Sequence, residues 1–165
     1  MKKDRAFVTA GVRGIAFALI TIVFSAVPFL DGLLWAVYIG FFLTMAFGAD
    51  KRQLPNYICS LLAGYVWAFG YMYGYRLLEE YLNMPHVAAL ATAELVLTFL
   101  LIYIHIRLLS GTWFNKIPAV FAAVATVFAS GSIDSIPLCA VSAATGIAIA
   151  VITEIIICAV CASEN

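Results

Sequence analysis

Six times along this chain an apolar run approaches or exceeds the roughly 20 residues a helix needs to cross a bilayer. The runs cover about 14–30, 33–48, 57–75, 87–106, 117–129 and 138–161, the second and fifth being short, with Trp113 an alternative start for the fifth. Inside hydrocarbon every backbone polar group must be bonded within the chain, which leaves helices or a closed barrel. Runs this long predict helices. Composition agrees: 65% of residues are hydrophobic and 11% charged, against about 45–50% and about 25% in soluble domains. The expectation is an all-α, polytopic membrane protein with six transmembrane helices in a single domain over residues 1–165.

The breaks between runs are chemically plain. Asp31-Gly32 divides the first two, and Asp50 to Pro55 the next two. Arg76 to His86, with Glu79, Glu80 and Pro85, reads as the longest loop; Ser110–Pro118 and Ser130–Pro137 follow. Met1-Lys2-Lys3 before an apolar run imitates a signal peptide. Arg13 interrupts the approach and no convincing small-x-small cleavage site follows, so an uncleaved first helix is expected. Lys and Arg in short loops set orientation. With the N-terminus inside, Lys2, Lys3, Arg5, Arg13, Lys51, Arg52, Arg107 and Lys116 are cytoplasmic, and of the nine basic residues only Arg76 is outside. The topology expected is N-in/C-in.

Displaced by 82 residues, the chain aligns with itself without gaps. Phe17-Ala18-Leu19-Ile20-Thr21-Ile22 meets Phe99-Leu100-Leu101-Ile102-Tyr103-Ile104, Thr44 meets Thr126, and Pro55 meets Pro137. Ser60, Gly64 and Ala68 meet Ser142, Gly146 and Ala150. Halves of about 1–82 and 83–165 would hold three helices each, so the second half enters from the opposite side: an inverted 3+3 repeat. Residues four apart share a helix face. The two small-residue stripes therefore let backbones approach closely, either between the third and sixth helices or at a homo-oligomer seam.

Ionisable groups inside apolar helices mark functional candidates. Glu94 lies roughly 12 Å into the fourth helix at 1.5 Å per residue. Thr98 and His105 fall on nearly the same face, so the three form a polar stripe. Glu154 is a second intramembrane carboxylate, four residues beyond Ala150. A narrow path lined by Glu94, Thr98, Thr44, Thr126 and Trp67 would suit a small neutral or weakly charged polar solute. Each residue also has a plainer reading. Glu94 can be an anchor bonded to a Trp, Tyr or Ser, Glu154 a member of a packing network, His105 an interfacial residue and Trp67 core. Tyr71, Tyr73 and Tyr75 read as an outer aromatic belt. Cys59, Cys139, Cys158 and Cys161 all fall in predicted helices, and Cys158-x-x-Cys161 by itself is a weak metal or redox signal. No HExxH, GxSxG or phosphate-binding loop occurs, so neither an enzyme, a cofactor nor a metal is expected. A net charge of zero speaks against a nucleic-acid partner. The partners expected are the bilayer, a second copy of the chain and a small polar solute.

Trp35-Ala36 followed by Gly40 and Ala46-Phe47-Gly48, the run Ser60 to Ala68, and Phe114, Ile117-Pro118, Phe121 and Phe128-Ala129-Ser130-Gly131 together resemble the family catalogued as domain of unknown function 1097. The resemblance covers most of the chain. It implies a small multi-pass protein of the bacterial inner membrane and carries no activity or catalytic residue. A small-solute channel or secondary transporter is the leading expectation, and a non-transporting membrane assembly or partner-binding subunit the alternative.

Overall fold

The computed structural model describes residues 5–162, which are all-helical, with six α-helices and no strand among them. They are α1 (Arg5–Ala26), α2 (Leu34–Ala46), α3 (Leu54–Leu82), α4 (His86–Arg107), α5 (Ile117–Ser130) and α6 (Ile136–Ala162). Short 3-10 turns at Lys51–Gln53 and Ile133–Ser135 lead into α3 and α6.

Sequence punctuation sets most of these ends. Pro28 and Gly32 lie beyond α1, and Gly48, at φ 83°, follows α2. Gly131 at φ 71° ends α5 in the left-handed conformation that glycine adopts without a Cβ penalty. One boundary departs from expectation. Arg76–Leu82 continues α3 rather than forming a loop, because Leu, Glu and Arg are good helix formers and nothing stops the helix before Asn83. Asn83 takes φ 50°, and the Met84 amide turns back to the Leu78 carbonyl at 3.2 Å, closing the end of the helix. The His86 ring, bonded through Nδ1 to Glu79 Oε1, ties the next helix across this turn.

α1, α4 and the segment Ile133–Ala162 are long and apolar enough to cross a membrane. α2 and α5 have 13 and 14 residues, about 20 Å at 1.5 Å per residue, short of a hydrocarbon core of about 30 Å. Both are richly buried: Ala36, Val37, Gly40, Phe41 and Thr44 in α2, and Ala119, Val120, Ala123, Val124, Thr126 and Val127 in α5.

The chain divides into two compact units that do not follow the sequence halves. One joins residues up to Leu54 with those from Val141 onward, and so holds α1, α2 and most of α6; the other, Pro55–Ala140, holds α3, α4 and α5. In the first unit a Cβ at Gly146 would stand 2.0 Å from the Val37 carbonyl oxygen and 2.8 Å from the Phe41 amide. Across the same seam, a Cβ at Gly40 would stand 2.0 Å from the Ala143 carbonyl oxygen. In the second unit a Cβ at Gly64 would stand 2.3 Å from the Val120 carbonyl oxygen and 2.6 Å from the Ala123 Cβ. Ser60, Ala68, Ser142 and Ala150 flank these glycines, each 0% exposed. The small-residue stripes are therefore filled by α2 and α5 inside their own units. This corrects the expected uses, an α3–α6 pairing or an oligomer seam, because each notch already holds a partner backbone.

Local structure recurs at the 82-residue displacement. Gly64 and Gly146 correspond, as do Ala123 and Phe41 at the facing positions. Ala49 at φ 50° corresponds to Gly131 at φ 71°. Next in line, the Asp50 side chain caps one 3-10 turn by accepting from the Arg52 amide, and Ser132 caps the other by accepting from the Asp134 amide.

Candidate functional site

In each unit a polar cluster sits where two long helices meet. In the second unit α3 brings Trp67 and Tyr71, one turn apart, against α4. The Trp67 indole donates to His105 Nε2 at 3.3 Å. The other ring nitrogen, Nδ1, lies 2.7 Å from the Phe114 carbonyl oxygen. That carbonyl can only accept and the indole can only donate, so the ring is neutral with its proton on Nδ1. His105 is 1% exposed and both its nitrogens are occupied. It fastens α4 to α3 and to the loop before α5, and it has no free position for a solute.

Two turns away, Tyr71 Oη lies 2.7 Å from Thr98 Oγ1, and Thr98 donates to Glu94 Oε2 at 3.2 Å. With the threonine proton directed at the carboxylate, the tyrosine proton is directed at the threonine. The result is a relay of donors, Tyr71 to Thr98 to Glu94. It runs from a residue 2% exposed through half-buried Thr98 to an exposed carboxyl. The expected stripe is thus split: Glu94 and Thr98 share one network, while His105 belongs to another with Trp67. Tyr71, expected in the aromatic belt, is the buried end of the relay. A signal for it was available in the four-residue spacing of Trp67 and Tyr71, which puts both on one face of α3.

In the first unit Glu154 is held by two arginines of α1. Arg13 Nη2 donates to Oε2 at 2.8 Å and Arg5 Nη2 to Oε1 at 3.2 Å. The Glu154 and Arg13 side chains are 23% and 24% exposed, Arg5 67%. Cys158 Sγ adds a weak donor 3.7 Å from Oε1. Arg13 Nε is covered and has no hydrogen-bond partner. The cluster carries two positive charges and one negative. Sequence reading had Glu154 facing the protein and missed its partners, although α1 and the end of α6 were both expected on the cytoplasmic side. A cavity of about 350 Å³ adjoins it, lined by Gly48, Ala49, Asp50, Lys51, Glu154 and Cys158 among others.

Thr44 and Thr126 are both 0% exposed. Thr44 donates to the Gly40 carbonyl at 2.8 Å and Thr126 to the Ala123 carbonyl at 2.7 Å, with the Tyr65 hydroxyl 3.2 Å away. Their hydroxyls are spent on their own helices and neither is open to a solute, which removes both from the expected lining. Trp67 stays half-buried beside a cavity of about 350 Å³ shared with His105, Val66 and Phe114. Of the seven pore or substrate candidates, Glu94 alone is an exposed acidic group, and it holds one hydroxyl donor, from Thr98.

No curated protein and no solved structure matches the chain. The family described as Protein of unknown function (DUF1097) matches residues 8–161, nearly the whole length, and the chain belongs to it.

Proposed function

We propose that the chain is a six-span, N-in/C-in protein of the bacterial inner membrane with inverted three-helix halves. In this reading it passes a small neutral or weakly charged polar solute, without catalytic chemistry. Support for the inverted halves comes from packing and caps that recur at the 82-residue displacement. Repeats of this kind build many secondary transporters.

One observation carries the functional reading. Glu94 is exposed on a helix of mean hydropathy 2.2 and holds a single hydroxyl donor from Thr98. A carboxyl at that depth is costly against lipid, so water, solute or protein meets it. The relay from Tyr71 fixes its position and leaves further lone pairs to accept donors from a solute. Flux of a panel of small polar solutes into proteoliposomes is the test. Flux above empty vesicles that falls in Glu94→Gln supports the reading; no flux across the panel removes it.

The second reading is a non-transporting assembly, favoured by the closure of Thr44 and Thr126 inside their units. A second copy or another membrane protein would then cover Glu94. In that case Glu94→Gln changes the mass of the detergent-solubilised complex and flux is absent.

A further inference from the structure

The joint between α1 and α6 has a feature that solute passage does not use. Beside it runs an apolar groove of about 310 Å³, walled by Val12, Ala16 and Leu19 of α1 and by Ile149, Ile152 and Ile156 of α6. Thr153 also lines it, but its hydroxyl is taken by the Ile149 and Ala150 carbonyls at 2.8 and 3.1 Å. The walls thus give water nothing to bond.

Shape restricts the occupant. From Val12 to Leu19 the groove is about 10 Å long, so its cross-section is on the order of 30 Å². That is room for a single extended hydrocarbon chain lying along the two helices.

Charge selects the other end of the ligand. Arg5 lies two turns before Val12 on the same face of α1, about 10 Å beyond the groove. Its side chain is 67% exposed. Among the described residues Arg5 and Arg13 share the one carboxylate of Glu154, which leaves their cluster with a net positive charge at the groove's end. Under the proposed orientation this end lies in the cytoplasmic leaflet, where anionic lipids attract basic side chains.

We infer that the α1–α6 groove is a binding site for an anionic phospholipid, with one acyl chain along Val12–Leu19 and the phosphate at Arg5. This rests on the membrane-spanning part of the proposed function and is independent of solute passage.

The test supplies protein purified in neutral detergent with equimolar dioleoyl phosphatidylglycerol and dioleoyl phosphatidylcholine, and counts retained lipids by native mass spectrometry. One net charge predicts a preference of about fivefold for phosphatidylglycerol. Arg5→Gln, at an exposed position, should equalise the two lipids. Ala16→Trp should lower occupancy by both, and Leu19→Trp serves in its place if that variant does not elute as a single species. Inorganic phosphate alone should displace nothing. The inference is overturned if the wild type retains no lipid or retains both equally, or if Arg5→Gln leaves the preference intact. It also falls if the groove-filling variant retains full occupancy, or if free phosphate displaces the lipid. Lipid retention with no solute flux would remove the transport reading alone.

Discussion

The α1–α6 joint and the α4–α3 joint hold corresponding positions in the 82-residue repeat, and they solve the same problem with different chemistry. Val12 corresponds to Glu94, Arg13 to Leu95, Thr153 to Tyr71 and Glu154 to Met72. At α1–α6 a carboxylate is answered by two guanidinium groups, and its charge is neutralised within the unit. At α4–α3 the carboxyl receives a hydroxyl relay and, among the described residues, no cation. One joint is a staple and the other keeps acceptor capacity. The repeat duplicates the scaffold, and single-residue differences within it separate a structural carboxylate from a functional candidate.

The comparison can be broken at several levels, beginning with the scaffold. Gly146→Ala and Gly64→Ala should each destabilise by about 3 kcal/mol or more, because the added Cβ strikes backbone that cannot rotate away. Gly70→Ala, with nothing within 4 Å of its Cβ, should leave the melting temperature in detergent unchanged or higher. Equal losses at all three glycines would contradict the paired seams.

A smaller effect separates the carboxylates. Glu154→Gln should lower stability by about 1–3 kcal/mol, since Arg13 loses its counter-charge in a part-buried site. Glu94→Gln keeps an acceptor for Thr98 and should cost under about 1 kcal/mol. Adding Arg13→Gln to Glu154→Gln should recover part of the loss, which a double-mutant cycle by thermal denaturation measures.

The two stripe serines differ likewise. Ser60 donates to the Trp113 carbonyl at 3.2 Å and accepts from the Lys116 amide at 3.0 Å, whereas Ser142 Oγ is buried without a partner. Ser60→Ala should cost about 1–2 kcal/mol and Ser142→Ala nothing, or should stabilise slightly.

The smallest contrast is between the left-handed residues. Gly131→Ala should destabilise by about 1 kcal/mol, and Ala49→Gly should be neutral or stabilising by a similar amount. Equal responses in thermal melts would mean that the loops are not equivalent.

Much of the scaffold was legible because its signals are local. Proline and glycine mark the helix ends, and the 82-residue displacement located both small-residue stripes before any geometry was known. The third helix was read too short because Arg76, Glu79 and Glu80 resemble loop residues, although nothing helix-breaking lies among them. The exchange of α3 and α6 between units was hidden, since apolar faces do not encode which apolar face they meet. At the candidate site Glu94 and Thr98 were legible as a pair at i, i+4. Tyr71 was obscured by the neighbouring tyrosines, and His105 by Arg107, which made it look interfacial. Arg13 was read as a cytoplasmic basic residue and a break before the first apolar run but not as an ion-pair partner, because Glu154 lies 141 residues away.

Reagent access to position 94 tests the central claim, that this carboxyl meets water within the membrane. Glu94→Cys and Leu95→Cys, each in a background with the native cysteines replaced by alanine, would be treated in intact membranes with a small water-soluble methanethiosulfonate. Both positions are exposed in the fold, Leu95 at 73%, but they point about 100° apart around α4. Thiolate chemistry needs water. The account predicts rapid modification at position 94 and slow modification at the lipid-facing position 95; equally slow reaction at both would contradict it.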